Sequence, residues 1–136
     1  MNNKEKMLKA VDAIENNKFS EAHIIIEPLA EEGLADAEHF LGWFYEQGLA
    51  VQKSDKKAFY WWSKSAQKGV IESEGALGAM YQEGRGTEKD IEKAYYWHSV
   101  AYKNGYSWSR HNIEELEKEL TTEQLERVKA KVEQDT

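Results

Sequence analysis

Four histidines and several groups of carboxylates are the side chains of this sequence that could perform acid–base or metal chemistry. The histidines are His23, His39, His98 and His111. None of them stands in an HExxH pattern, no serine lies in a nucleophile elbow, and no two carboxylates form a recognisable catalytic pair. The sequence therefore predicts no catalytic residue, no metal site and no cofactor.

The segment Gly84-Arg85-Gly86 shares only its composition with a phosphate-binding loop. Glycine-rich loops that hold phosphate follow a strand and lead into a helix, whereas this segment follows a predicted helix. Its flanking positions already have a role in the turn. We interpret it as a connection between helices.

A fixed offset of 36 positions relates two long stretches of the chain. The pairs that recur at this offset are Leu41/Leu77, Gly42/Gly78, Tyr45/Tyr81, Gly48/Gly84, Ala58/Ala94, Trp61/Trp97 and Gly69/Gly105. A period of this length is typical of stacked helical hairpins. The predicted fold is therefore an all-α solenoid, in which each repeat consists of a helix A followed by a helix B.

We predict a single domain, residues 1–136, with four parts. They are a degenerate first hairpin at 7–33, repeats at 36–69 and 72–105, and a terminal cap at 109–134. Ser54 and Asp90 are 36 positions apart, and each is predicted to cap the N-terminus of a helix B. In the cap, Thr121 and Gln124 have the spacing of a capping box.

Several single residues predict details of the packing. Pro28 interrupts an apolar helical stripe, so a kink there or a break near Glu27 is expected. Gly42 leaves room for a neighbouring helix to approach closely. Trp61 and Trp97 are assigned to the core.

His98 replaces Trp62 at a core-facing position of the second helix B. We expect it to be a packed or hydrogen-bonded histidine and not a metal ligand. Tyr60 and Tyr96 fall on the opposite side of their helices, where some exposure is expected. A nucleic acid that stacked on these rings would also need a basic groove.

The charge of the chain limits its partners. A net charge of −7 argues against nucleic acid or an anionic membrane as the main partner. Residues 1–38 carry −5, residues 39–70 carry +3, residues 71–108 carry −2 and residues 109–136 carry −3. The acidic ends are consistent with solvated surface or with attraction to a basic protein. The basic segment contains Lys56, Lys57, Lys64 and Lys68.

The absence of cysteine excludes disulfides and thiolate metal sites. The first six residues are polar, no apolar run follows them, and no segment approaches the length of a membrane span. We therefore expect a cytoplasmic protein with no membrane partner.

The two repeats share a motif of small and aromatic residues. The first copy reads Ala37-x-x-x-Leu41-Gly42-x-x-Tyr45-x-x-Gly48 and then Lys57-Ala58-x-x-Trp61-x-x-x-x-Ala66-x-x-Gly69. The second copy departs from it at Ser73 and Tyr102, where alanine is usual. This motif resembles the Sel1-like repeat, a relative of the tetratricopeptide repeat, and residues 7–33 resemble half of a tetratricopeptide-type hairpin.

The resemblance implies a right-handed α/α superhelical solenoid that takes part in assembling or regulating protein complexes. Some secreted, cysteine-rich members of the family have been linked to cell-wall or antibiotic-like ligands. This chain contains no cysteine, so that branch is a poor guide to its function.

Helix A positions off the core stripe give the candidate partner-binding residues, because the A helices of stacked hairpins line the concave wall. These candidates are His39, Trp43, Glu46, Gln82 and Glu115. For Trp43 two interpretations stay open. It anchors a partner, as large aromatics off the buried stripe commonly do, or it packs over a neighbouring helix A in the space left by Ala79.

The resulting hypothesis is a non-enzymatic adaptor, scaffold or regulator that binds a protein or peptide on the concave helix-A face, with a basic partner one possibility. Two alternatives remain. One is a small acidic immunity or inhibitor protein that neutralises a basic toxin or enzyme. The other is a small-ligand binder or hydrolase of a peptidoglycan-like or β-lactam-like ligand. The sequence leaves the oligomeric state open.

Overall fold

A computed structural model describes all residues 1–136, which form eight α-helices and one short 3₁₀ turn, Ser107–Ser109. The helices are α1 Asn3–Glu15, α2 Phe19–Glu31, α3 Ala35–Gln47, α4 Asp55–Gln67, α5 Ile71–Glu83, α6 Ile91–Lys103, α7 Arg110–Glu119 and α8 Thr122–Asp135. From α1 to α7 each helix packs against the next. The predicted all-α stack of hairpins is confirmed, with α1, α3, α5 and α7 as A helices.

The ends of the repeat helices follow from their capping residues. The Ser54 hydroxyl accepts a hydrogen bond of 3.2 Å from the amide three residues later, and the Asp90 carboxylate does the same at 3.0 Å. Gly48 and Gly84 end the A helices with φ of +70° and +67°, a conformation that costs glycine little. Both predicted N-caps are confirmed.

Pro28 does not break its helix. α2 continues through this residue to Glu31, so of the two predicted outcomes, a kink at Pro28 or a break near Glu27, the break is wrong. Proline removes one hydrogen bond, to the carbonyl of Ile24 one turn earlier. Pro28 and Ile24 both lie on the exposed side of α2, where water can hydrate that carbonyl.

The two hairpins α3–α4 and α5–α6 close through a glycine on helix A and a ring on helix B. A Cβ atom on Gly42 would lie 2.5 Å from Cδ1 of Trp62, and one on Gly78 would lie 2.8 Å from Cδ2 of His98. Only glycine permits these approaches without displacing the ring. The predicted role of Gly42 is confirmed.

The assignment of Trp61 and Trp97 to the core is correct only in part. Both rings are half-buried, and the deeply buried tryptophan of α4 is Trp62, which is 4% exposed. Trp61 packs against the N-terminal core from its edge, and its ring meets the ring of Tyr60 at 5.1 Å between centroids. Tyr60 is 53% exposed, as expected.

The C-terminal cap begins with α7 and ends with α8, which folds back onto α6. The predicted capping box is present: the Thr121 hydroxyl accepts from the amide of Gln124, and the Gln124 side chain accepts from the amide of Thr121. Leu116, Leu120 and Val128 bury the apolar side of the cap against α6.

Candidate functional site

His39 lies half-buried on α3 and links it to the next repeat. Its Nδ1 lies 2.8 Å from the hydroxyl of Ser73 on α5. Ser73 also accepts a hydrogen bond of 2.5 Å from the hydroxyl of Ser65 on α4. The backbone carbonyl of His39 accepts from Nε1 of Trp62 at 3.1 Å. This candidate residue therefore belongs to a polar network that joins three helices.

Glu46 and Gln82 stand 36 positions apart, and each accepts a hydrogen bond from the following repeat. Arg85 donates from Nη1 to the Glu46 carboxylate at 3.3 Å. Asn112 on α7 donates from Nδ2 to the side-chain oxygen of Gln82 at 2.9 Å. Gln82 thus links α5 to α7, and Glu46 links α3 to the loop that follows α5.

Trp43 is half-buried and packs toward the first hairpin. Its ring centroid is 6.1 Å from that of Phe19 on α2, in an edge-to-face arrangement, and 5.6 Å from that of Phe44. It also packs against the small core cluster that includes Met80. Internal packing accounts for much of its ring.

Glu115 lies apart from the other candidates. It is exposed on α7, where its carboxylate is 3.4 Å from Nζ of Lys118. The structure thus places three of the candidates in links between helices, Trp43 in internal packing, and Glu115 on the solvated surface of the cap.

Sequence reasoning missed an apolar groove between the A helices α1 and α3. Both helices pack on α2, and between them they leave a cavity of about 390 Å³. Its lining residues are Asn3, Lys4, Met7, Leu8, Val11, Leu34, Asp36 and Phe40. Leu8 is 62% exposed and lies off the apolar stripe of α1, which is the sequence signal that could have identified the groove.

Carboxylates lie close to His39 at one side of this groove. The His39 ring centroid is 5.5 Å from that of Phe40, which lines the groove. Burial lowers the pKa of His39, while the negative charges of Glu72 and Asp36 act in the opposite direction. At neutral pH this part of the helix-A face therefore presents a neutral imidazole between two exposed acidic groups.

Two buried carboxylates occupy equivalent positions at the start of α3 and α5. Glu38 is fully buried and accepts two hydrogen bonds from Nζ of Lys68, at 2.8 and 2.9 Å. Glu74 accepts from the amide group of Asn104 at 3.0 Å. Burial raises the pKa of Glu74, and the hydrogen bond from Asn104 partly opposes this. Each carboxylate closes its own hairpin.

His98 is 3% exposed, and its Nδ1 lies 2.8 Å from the hydroxyl of Ser109 at the start of the cap. Its Nε2 is buried without a hydrogen-bond partner. Burial lowers the pKa of His98 to about 4. The prediction of a packed, hydrogen-bonded histidine is confirmed.

Two further properties of the structure bear on function. No three His, Asp or Glu side chains are grouped closely enough to hold a metal ion. None of the helices could cross a lipid bilayer.

The paired hairpins, with a glycine of helix A under a ring of helix B, define an α/α helical-repeat protein. The model of the Sel1 repeat family matches residues 35–70 and 71–106, and the chain belongs to this family. The predicted family is thereby confirmed. Sel1 repeats commonly serve as scaffolds for protein–protein interaction and are generally not enzymes.

Solved structures with this fold span a range of similarity. The chain superimposes with a TM-score of 0.90 and 25% identity on c5321, a protective antigen of uropathogenic Escherichia coli with an SLR fold. It is also similar to a Sel1 repeat protein from Oxalobacter formigenes (TM-score 0.73, 23% identity) and to Helicobacter pylori cysteine rich protein B (TM-score 0.61, 22% identity).

The extent of these matches differs. They cover 98%, 78% and 79% of this chain respectively. This chain spans 29% of the c5321 structure, 44% of the Oxalobacter protein and 91% of the Helicobacter protein. No curated protein sequence matches the chain.

Proposed function

We propose that this protein binds a protein or peptide through its helix-A face, with the groove between α1 and α3 receiving an apolar side chain of the partner. The observation that carries the proposal is the open apolar groove, whose volume lies toward the lower end of the range for small-molecule pockets and leaves room for one bulky side chain. Leu8 and Phe40 stand on its two sides, one on each helix.

The charges around the groove favour a basic residue beside that apolar anchor. Asp36 lines the groove and Glu72 lies near His39. Lys4 is the one cationic side chain in the lining. The chain as a whole carries −7, so its long-range field attracts cations. A segment with one large apolar residue followed by lysine or arginine fits this surface.

The remaining candidate residues extend the surface along the stack. His39, Glu46 and Gln82 are held by hydrogen bonds to the next repeat, and Trp43 is held by ring packing. A surface whose side chains are already fixed loses little entropy on binding. In this proposal these residues form the ordered continuation of the groove, and exposed Glu115 forms its far acidic end.

A peptide-display selection against the immobilised protein tests the proposal. We expect enriched peptides to combine a bulky apolar residue with a neighbouring lysine or arginine. Leu8→Glu should lower their affinity at least about tenfold, because it places a charge in the groove. Ile24→Glu is the matched control, since Ile24 is 73% exposed on α2 and lies outside the groove.

Three results would each contradict part of the proposal. Equal affinity for Leu8→Glu and the wild type would exclude the groove as the site. Affinity that does not change between low and high salt would exclude the basic residue, since attraction between exposed charges is screened. A double variant Trp43→Ala/Gln82→Ala that folds and binds like the wild type would remove the rest of the helix-A face from the site.

The absence of catalysis and a cytoplasmic location remain predictions of the same proposal. Fractionation of the cells that make the protein would test the location. The division into a first hairpin, two repeats and a cap also remains a proposal, which limited proteolysis would test through the positions of the first cuts.

A further inference from the structure

The outer side of α6 is covered by α8 of the same chain. Arg127 donates to the carboxylate of Glu92 in two hydrogen bonds of 2.7 and 3.0 Å. The hydroxyl of Tyr96 donates to Asp135 at 2.6 Å, and Nζ of Lys131 lies 5.4 Å above the Tyr96 ring. Glu92 near the start of α6 contacts Arg127, and Tyr96 further along α6 contacts Asp135 near the end of α8. The two helices therefore run parallel.

The equivalent side of α4 has no such cover. At the 36-residue offset, Lys56 corresponds to Glu92 and Tyr60 to Tyr96. Lys56 is exposed, and Tyr60 is 53% exposed, whereas Tyr96 is half-buried. The same repeat therefore presents one helix-docking surface that is occupied and one that is free.

The free surface carries the opposite charge. Between Lys56 and Lys68 the chain contains no carboxylate. Nζ of Lys64 lies 5.3 Å above the Tyr60 ring, and Lys57 lies 5.3 Å above the Tyr45 ring. On α6, Glu92 pairs with Arg127 of the covering helix. At the equivalent position α4 has Lys56, so a helix that covers α4 would need an acidic residue there.

We propose that this outer face of α4, formed by Lys56, Lys57, Tyr60 and Lys64, docks an acidic amphipathic helix of another protein. The helix lies along α4 as α8 lies along α6, with a carboxylate at Lys56 and an apolar side chain on Tyr60. The α8 helix of a second copy does not fit, because its Arg127 would meet Lys56.

This surface is separate from the groove of the proposed function. The groove is lined by residues of α1 and α3 and by Leu34 just before α3, whereas Lys56 and Tyr60 lie on α4, the helix B of the same hairpin, and do not line it. The inference does not depend on what binds the groove.

The probe for the test is a fluorescent peptide with the sequence of residues 121–136 and the changes Arg127→Glu and Lys131→Glu. It keeps the capping box and the stripe of Leu125, Val128 and Val132, and it is stapled because a free helix of this length is marginal in water. We expect saturable binding in fluorescence anisotropy, and weaker binding of the stapled peptide with the natural sequence.

Variants of the full chain locate the bound peptide. Lys56→Glu and Tyr60→Ala should each lower the affinity at least about tenfold. Lys9→Glu changes the charge equally on an exposed position of α1 and should leave the affinity unchanged. All three positions are exposed, so circular dichroism and thermal midpoints should match those of the wild type.

Several results would overturn the inference. They are the absence of saturable binding, an equal loss with Lys9→Glu, or a loss with Leu8→Glu, which would place the peptide in the groove. Tighter competition by a single-stranded oligonucleotide or by anionic vesicles would show that the lysines serve another class of partner.

Discussion

The hairpins α3–α4 and α5–α6 have equivalent backbones and different polar chemistry. In the first, the ring under the helix-A glycine is Trp62, and it donates to a backbone carbonyl of its own hairpin. In the second, the ring is His98, and it bonds to Ser109 of the following cap. The first hairpin closes with the ion pair Glu38–Lys68, and the second closes with a carboxylate and an amide.

The comparison shows which positions determine the repeat. The glycines that admit a ring are the same in both hairpins, and so are the alanines at the helix crossing, Ala58 and Ala94, which are fully buried. The ring and the hydrogen-bond donor can be exchanged because each finds a local partner. Small residues therefore fix the approach of the helices, while polar residues set how each hairpin responds to charge and pH.

The largest expected effect is the loss of stability when a buried carboxylate loses its hydrogen-bond donor, and it should differ between Glu38 and Glu74. Lys68→Ala leaves Glu38 buried without its cation and should lower the free energy of unfolding by about 4 kcal/mol. Asn104→Ala should cost about 1–2 kcal/mol, because Glu74 then loses a neutral hydrogen-bond donor and not a cation. Urea denaturation at neutral pH measures both values. The control is Lys56→Ala, and a loss for Lys68→Ala no greater than the control would contradict the prediction.

The second effect concerns pH. The pKa of His98 is about 4 in the folded chain and about 6.5 when unfolded, so the unfolded state binds more protons between these values. The stability contributed by the neutral ring is complete above pH 6.5 and is lost as the pH falls toward 4. The loss between pH 7 and pH 4 should be about 3 kcal/mol.

The variant His98→Gln isolates this contribution from those of the carboxylates. The difference in free energy of unfolding between the wild type and His98→Gln should shrink or reverse as the pH falls. A difference that stays constant from pH 7 to pH 4 would show that His98 does not stay neutral in the fold.

The smallest effect compares the two glycines. Gly42→Ala brings a methyl group against the indole of Trp62, and we expect a loss of about 2 kcal/mol. Gly78→Ala meets the smaller imidazole of His98 at a slightly greater distance and should cost about 1 kcal/mol. Thermal denaturation measures both. A double-mutant cycle with Trp62→Ala should show coupling at Gly42, and additive losses would indicate that the ring is not the obstacle.

Most of the fold could be predicted from the sequence because its signals are local. The caps Ser54 and Asp90, the C-terminal glycines and the capping box each act within a few residues. The close approach at Gly42 could also be predicted. Glycine destabilises a helix interior, so its recurrence within a helical stripe indicates a close contact with a neighbouring helix. The family motif followed from the same residues.

The details of the site depended on contacts that the sequence does not encode locally. The groove is the space left between α1 and α3, which are separated by a whole helix. The links from His39, Glu46 and Gln82 join adjacent repeats, and helical periodicity identified these residues only as lying off the core stripe. Which of the two adjacent tryptophans, Trp61 or Trp62, is deeply buried depends on how α4 is rotated about its axis. The repeat motif does not specify that rotation.

The histidine–serine contact at the junction with the cap has a consequence for engineered arrays. Ser73 and Ser109 stand one period apart, so a tandem concatemer of residues 71–106 would regenerate the contact at every join. Each added copy would bury another imidazole that takes up a proton only on unfolding. The steepness of acid denaturation would then report how many copies had been linked.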